Sequence, residues 1–210
     1  MNITLLTTNK QLKRQEKIAV KAVSQCYQSD TLTAARLPKL AILEGHRTIL
    51  EFFDLTFLIE GISYLSHVHL IRHRHTTPMV QSQRYTNAEC VVNPMEEEDK
   101  AELFNQALFG IHNEDKIFKI YAKPRKEELR YLKPQGASIN MCLKMNLRAF
   151  LEMIEKRTAD NVLAETKEVV NTMYWFAQDT SILEPYLTLH TQYLNAHNKM
   201  MRELKKENKK

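Results

Sequence analysis

Residues Phe52–Tyr85 read FFDLTFLIEGISYLSHVHLIRHRHTTPMVQSQRY, and the pattern of the chain changes twice within them. In FFDLTFLIEG the apolar residues Phe53, Leu55, Phe57 and Ile59 fall on alternate positions, which predicts a half-buried strand closed by Gly61. From Ile62 the spacing turns helical, with Ile62, Leu65, Val68, Leu70 and Ile71 as the apolar positions of a helix that runs to Arg74. Pro78 disfavours helical geometry at Thr77, so HTTPMVQ (75–81) is expected to be a loop. Five of the fourteen residues from Arg72 to Tyr85 are Arg or His. The plain account is a helix C-terminus decorated with cations, which the helix dipole favours. The chemical account is a site for anions. Successive helical residues point about 100° apart, so Arg72 and Arg74 can serve two different groups. Ser82, Gln83 and Arg84 place a hydroxyl, an amide and a guanidinium in a row, a set suited to phosphate.

Outward from this stretch, NITLLT (2–7) alternates as a short first strand. A helix is expected from about Asn9 to Gln28, with Ile18, Ala19, Ala22 and Val23 as its apolar face, and a short one in LPKLAILEGH, ending near Gly45. Residues 95–123 read as a helix with an acidic start, and 123–133 as another with Pro124 near its first turn. In ASINMCLKMN (137–146), Ile139, Met141, Leu143 and Met145 alternate as a second clear strand, and helices follow at 147–157, 160–177 and 182–206. No repeat or linker interrupts the chain. The expectation is one helix-rich α+β domain over residues 1–210, with a solvated basic end at about 203–210.

Composition excludes several classes. The net charge of +5 favours anionic partners only mildly. The three cysteines, Cys26, Cys90 and Cys142, form no CxxC pair, which argues for a reducing compartment and against a disulfide frame or a zinc site; all three are expected to be buried or neutral. No leader and no membrane-length apolar run is seen, so the expected location is cytoplasmic. The four glycines, Gly45, Gly61, Gly110 and Gly136, cannot assemble a GxGxxG or GxxxxGK[ST] motif. A nucleotide cofactor, if bound, must be held by another geometry than a Rossmann or P-loop turn. No metal is expected.

The spacing Arg72-His73-Arg74, seven residues, Ser82 resembles the signature of the flavin-dependent thymidylate synthases. Upstream, GHRTILEFFDLTFLIEGIS (45–63) is similar to that family's GHxSxxEH…TFxIxGIS segment through His46, Thr48, Glu51, Thr56, Phe57, Gly61 and Ser63. Downstream, LRYLKPQGASINMCLKMNLRAFLEMIEKR (129–157) resembles its ARxxLP…TMNARxLxxFxxLR segment, with Arg130, Pro134, Asn146, Arg148 and Arg157 in register. QCYQS around Cys26 is similar to the family's TCYxS element, so the resemblance covers roughly residues 17–165 in order.

The resemblance implies the family's fold, helix-rich with a small, mostly antiparallel sheet, and its reaction, the methylation of dUMP to dTMP. Methylenetetrahydrofolate would supply the carbon, FAD reduced by NADPH the hydride, and a homotetramer the shared active sites. By position, it implies dUMP contacts at His69, Arg72, Ser82, Gln83, Arg84, Arg130 and Arg157. It implies FAD contacts at Thr48, Glu51, Arg72, His73, Arg74, Val80, Asn146, Arg148 and Glu152, and places His46 near flavin and folate. Arg157 would face the uracil ring as the catalytic residue. A guanidinium beside the ring carbonyl and N3 favours the electron-rich form that C5 methylation needs, and it acts as an electrostatic stabiliser because it does not lose its proton.

Several positions depart from the family pattern: His69 stands for a Gln, Tyr64 and Ser24 for arginines, Val80 for a Glu, Glu152 for a His, and VLAET (162–166) for AQWEI with only Glu165 retained. Two alternatives follow, a FAD-binding member with altered or lost activity and a basic nucleic-acid-binding protein.

Overall fold

The structure is a computed structural model, and it describes residues 1–29, 32–82 and 135–207. Among the described residues four strands form one sheet: β1 (Asn2–Leu5), β2 (Asp54–Ser63), β3 (Thr76–Val80) and β4 (Ser138–Asn146). Their order is β1-β2-β4-β3 and every pairing is antiparallel. The helices are α1 (Asn9–Tyr27), α2 (Leu37–Ile42), α3 (Tyr64–Ile71), α4 (Leu147–Arg157), α5 (Ala164–Gln178) and α6 (Glu184–Glu207), with two short 3-10 helices at Ala34–Arg36 and Arg47–Phe52.

The two central strands are the two that alternate most clearly in sequence. Phe53, Leu55, Phe57 and Ile59 are fully buried, and Ile139, Met141, Leu143 and Met145 are at most 2% exposed. In register, Phe57 lies opposite Leu143 on one side and Leu5 on the other. The sheet thus offers one apolar face, and helices cover it. Phe150 of α4 packs on Phe57 at 5.4 Å between ring centroids, and Tyr186 of α6 packs on Phe53 at 5.1 Å. The buried apolar residues form one cluster that runs from Ile3 to Leu187.

Strand β2 passes its glycine and ends at Ser63, not at Gly61. The register shifts between Ile59 and Ile62, a bulge that Gly61 allows through its positive φ of 69°. The extra residue is anchored, since the Gly61 amide donates to Asn140 Oδ1 at 2.8 Å.

Four further expectations need correction. HTTPMVQ is not a loop: Thr76–Val80 is β3, paired with β4 from Thr76↔Met145 to Val80↔Met141. Pro78 forbids helix but is tolerated on a strand with one free edge, and β3 pairs with β4 alone among the described residues. Its residues alternate neither in hydropathy nor in burial, so the sequence carries no strand signal there. On α1, Ile18 is 48% exposed, and Leu12, Ala19 and Val23 are the buried positions. Helix α5 begins at Ala164, four residues later than expected. Cys26 is exposed. The helices expected at 95–123 and 123–133 lie outside the described residues.

Candidate active site

Helix α3 positions the cationic motif, and its N-terminus is fully satisfied. Ser63 is the N-cap, with Oγ accepting from the Ser66 amide at 3.0 Å. The Ser63 amide donates to Glu165 Oε1 at 2.6 Å, and the Tyr64 and Leu65 amides donate to the carbonyls of Ala137 and Gln135, each at 3.0 Å. No donor is left at this end for an anion. Any anionic ligand must therefore meet side-chain cations at the other end, which is where Arg72 and Arg74 stand.

The inward face of α3 is unusually polar. Ser66, His67 and Leu70 are buried on it, and His73, just past its end, is 9% exposed. Leu65 and Val68 are half-buried and Ile71 is exposed, so the apolar spacing that signals the helix is not the face that packs. His73 meets Arg157, the last residue of α4, whose Nε donates to His73 Nε2 at 2.8 Å. To accept there, the imidazole must be neutral with its proton on Nδ1. Its surroundings agree: burial first, then the charges of Arg157 and Lys156, push His73 down to about 4 against a smaller opposing pull from Glu152. Burial and the nearby Arg72 charge lower Arg157 from its ordinary value, yet a guanidinium stays protonated. With Nε held by His73, the two terminal nitrogens of Arg157 keep their four N–H donors for a ligand.

Around this pair stand groups without partners. His69 Nδ1 is buried with no hydrogen bond, and burial together with Arg157 and Arg72 holds its imidazole below the ordinary value. Arg72 and Arg74 are exposed, and neither makes an ion pair or side-chain hydrogen bond with another described residue. An acceptor of hydrogen bonds carrying negative charge, such as a pyrophosphate or a pyrimidine nucleotide, fits this donor set.

A second group of expected residues lines α4. Asn146 caps the helix, Oδ1 accepting from the Ala149 amide at 2.9 Å. Arg148 in the first turn donates to Glu51 at 2.7 Å and lies 3.7 Å from Glu152 one turn on. Thr48 and Glu51 share the 3-10 helix Arg47–Phe52. Arg148, Glu152 and Lys156 recur every four residues along one face of α4, and the charges of Lys156 and Glu152 reach His73. The acidic Glu152 sits in a pair with Arg148, which screens its charge. His46 lies apart from these ion pairs, its Nε2 2.7 Å from the hydroxyl of Tyr27.

Val80 ends β3 at 37% exposure. Past it, Gln81 is tied twice to β4: its amide donates to the Asn140 carbonyl at 2.9 Å, and its Oε1 accepts from the Asn140 amide at 3.0 Å. The sheet edge thus fixes where Ser82 begins. Gln83, Arg84 and Arg130 lie outside the described residues. Sequence reasoning missed Tyr27 and gave no role to Glu165, although Tyr27 stands in QCYQS and Glu165 is the retained residue of VLAET. Among the described residues no group of three or more His, Cys, Asp or Glu is placed to hold a metal ion, and no helix is long and apolar enough to cross a membrane.

The buried histidines set a pH dependence. His73 and His67 both have folded-state values below the ordinary 6.5, chiefly through burial, and neither ring nitrogen of His67 has a partner. The folded state then binds fewer protons than the unfolded state below pH 6.5, so stability is full above that pH and falls with acidification down to about 4. Each such group contributes a slope of up to ~1.4 kcal/mol per pH unit in that window. Urea midpoints measured at pH 7.5 and pH 5 should fall with acid, and H73Q should flatten the dependence; a midpoint independent of pH would contradict it.

The family profile described as "Thymidylate synthase complementing protein" matches residues 5–180. Proteins named flavin-dependent thymidylate synthase align from Haloarcula marismortui (25% identical over 64% of this chain and 67% of that one), Pyrococcus abyssi (32%, over 64% and 58%) and Thermococcus kodakarensis (31%, over 67% and 60%). The alignments thus span about three fifths to two thirds of those relatives' own length. A crystal structure of thymidylate synthase X from Helicobacter pylori, with FAD and dUMP, superposes with a TM-score of 0.67 over 89% of this chain and 99% of that one. At 17% identity that likeness speaks for the fold alone. The fold and the profile over residues 5–180 agree on one conclusion: the chain belongs to the thymidylate synthase complementing protein family.

Proposed function

We propose that this chain is a flavin-dependent thymidylate synthase, an enzyme that methylates dUMP to dTMP with methylenetetrahydrofolate as carbon donor and NADPH as reductant. The observation that carries the reading is the Arg157–His73 hydrogen bond of 2.8 Å. It joins the two halves of the motif set, 84 positions apart in the chain, and leaves the outer donors of a permanent cation available beside Arg72 and His69.

In this reading His69, Arg72, Ser82, Gln83, Arg84 and Arg130 bind dUMP, with the phosphate on the Ser82–Arg84 segment. Arg157 faces the uracil ring. Its charge stabilises the electron-rich form of the ring at C5 and its donors orient the carbonyl and N3. Neutral His73 holds the guanidinium plane from behind. Arg72, His73 and Arg74, with Thr48, Glu51, Val80, Asn146, Arg148 and Glu152, form the FAD side, and His46, steadied by Tyr27, lies toward flavin and folate. When bound, FAD supplies the reducing equivalents of the reaction. Exposed apolar residues beside the motif, among them Tyr64, Ile71 and Met79, support a homotetramer in which several copies build each site. The chain would act as one cytoplasmic domain over residues 1–210.

The visible spectrum of the purified protein, before and after dUMP, tests the reading. Flavin absorbance perturbed by dUMP, with dUMP-dependent NADPH consumption and dTMP formation, is expected. A colourless protein that cannot be reconstituted with FAD would overturn it, and bound FAD without dTMP would select an inactive flavoprotein.

A further inference from the structure

Glu165 is the residue of α5 that grips the start of α3. Its carboxylate accepts three hydrogen bonds: from the Ser63 amide at 2.6 Å, from the Ser63 hydroxyl, and from the Ser66 hydroxyl at 2.7 Å. The donor pattern is determined throughout. Because the single proton of the Ser66 hydroxyl goes to Glu165, the Thr166 hydroxyl must donate to Ser66 Oγ, 3.0 Å away. Because the Ser63 hydroxyl donates to Glu165, its lone pair is left to cap the Ser66 amide. Ser63, Ser66 and Thr166 are 4%, 0% and 0% exposed and Glu165 is half-buried, so the donor side of this knot is shielded from water, which strengthens a charge-assisted contact.

The other end of α3 is gripped by the same hairpin. Arg157 closes α4, Glu165 opens α5, and only residues 158–163 separate the two helices. One hairpin therefore touches α3 at two points, Glu165 at Ser63 and Ser66 and Arg157 at His73. Eight helical residues span about 12 Å and behave as a rod. The position of the rod along its axis decides whether Arg157 Nε and His73 Nε2 stay within bonding distance, because a hydrogen bond weakens steeply with misalignment. The start of α3 is also held to the sheet, by the Ser63↔Ser138 pairing and by the Tyr64 and Leu65 amides on residues 137 and 135, and the Glu165 carboxylate adds the side-chain tie that joins it to the hairpin.

We propose that Glu165 is a positioning residue for the active site: with Arg157 it makes the α4–α5 hairpin a two-point clamp that sets the axial register of α3, and thereby the alignment of the RHR motif with the uracil-facing guanidinium. The catalytic consequence rests on the proposed thymidylate synthase reading; the alignment itself does not.

The test replaces Glu165→Gln, which keeps the shape but puts a donor or a weaker acceptor where two hydroxyls donate. The readout is the NMR titration of the His73 ring, assigned by its loss in H73Q, in the FAD-free full-length chain. Burial acts first on His73, and the charges that act on it, Arg157, Lys156 and Glu152, are all on α4, so its titration reports how α3 sits against that helix. In E165Q the His73 midpoint should rise by at least one pH unit toward the ordinary value, and kcat/KM for dUMP of the FAD-loaded enzyme should fall at least tenfold. S66A, which removes one of the three donors and leaves the Ser63 cap, should give a smaller rise and keeps the test available if E165Q does not fold. A lowered melting temperature with an unmoved His73 midpoint, in E165Q or, where that variant is unfolded, in S66A, overturns the proposal and leaves Glu165 a structural staple. Absence of dUMP turnover in the unsubstituted chain counts against the function alone, since the His73 titration still decides the clamp.

Discussion

Replacing Arg157 with alanine is expected to lower dUMP turnover by about 10²–10³-fold while the protein keeps its fold and its flavin. On the proposed reading the size follows from what is lost: a preorganised cation beside the uracil ring, where charge develops. Lys156 is adjacent, but it is exposed and its single ammonium lacks the planar fork of a guanidinium. The fold should survive because the buried face of α4 is made by Leu147, Ala149, Phe150, Leu151, Met153 and Ile154, all of which remain. A second consequence separates this account from a simple loss of charge. Without the Nε donor the buried His73 loses a bond and a repelling neighbour together, so its titration should move up from about 4 toward 6.5. Arg157→Lys should be intermediate, since a single ammonium can meet either His73 or the ligand but lacks the planar fork that serves both. Steady-state kinetics, flavin absorbance and the His73 titration together check it. Turnover within a few-fold of the unsubstituted enzyme would show that Arg157 is only a structural link between α3 and α4.

What the sequence reveals of this site is its parts, and what it hides is their assembly. The motif Arg72-His73-Arg74 with Ser82, and the downstream Asn146, Arg148 and Arg157, are legible because their residue types and spacing resemble the family's signature segments. The central strands are legible because each presents one fully buried face, so Phe53 to Ile59 and Ile139 to Met145 alternate without exception. Strand β3 is not legible, because its residues from Thr76 to Val80 are half-buried or exposed and it joins the sheet through backbone pairing alone. The same holds for the packed face of α3. Its inward positions are Ser66, His67 and His73 as well as Leu70, and polar residues read as a solvent face in a pattern argument. They are tolerated inside because Glu165, Thr166 and Arg157 arrive from 84 to 100 positions away to bond most of them. No local spacing encodes such meetings. Glu152 shows the reverse case, where a sequence departure that looks disruptive becomes ordinary once Arg148 is found one turn before it.

The second large effect falls on stability, and Phe57→Ala should show it without moving the site. Phe57 is fully buried at the centre of the sheet, with Leu5 and Leu143 as its lateral neighbours and the ring of Phe150 across from it. Truncation removes the contact that seats α4 on β2 and leaves a cavity between strand and helix, at a cost of about 3–5 kcal/mol. That is a large share of the roughly 5–15 kcal/mol by which a domain is stable, so the urea midpoint should drop steeply with little change in slope. Phe57→Leu, which refills most of the volume, should cost much less. The site should nevertheless stay aligned in the surviving folded molecules. Five other buried side chains still dock α4, and neither Arg157–His73 nor Glu165–Ser63 passes through the Phe57–Phe150 contact. The His73 titration in F57A should therefore match the unsubstituted chain, whereas R157A and E165Q should shift it at a smaller cost in stability. A His73 midpoint that rises in F57A as well would mean that core packing, and not the two-point clamp, holds α3 against α4.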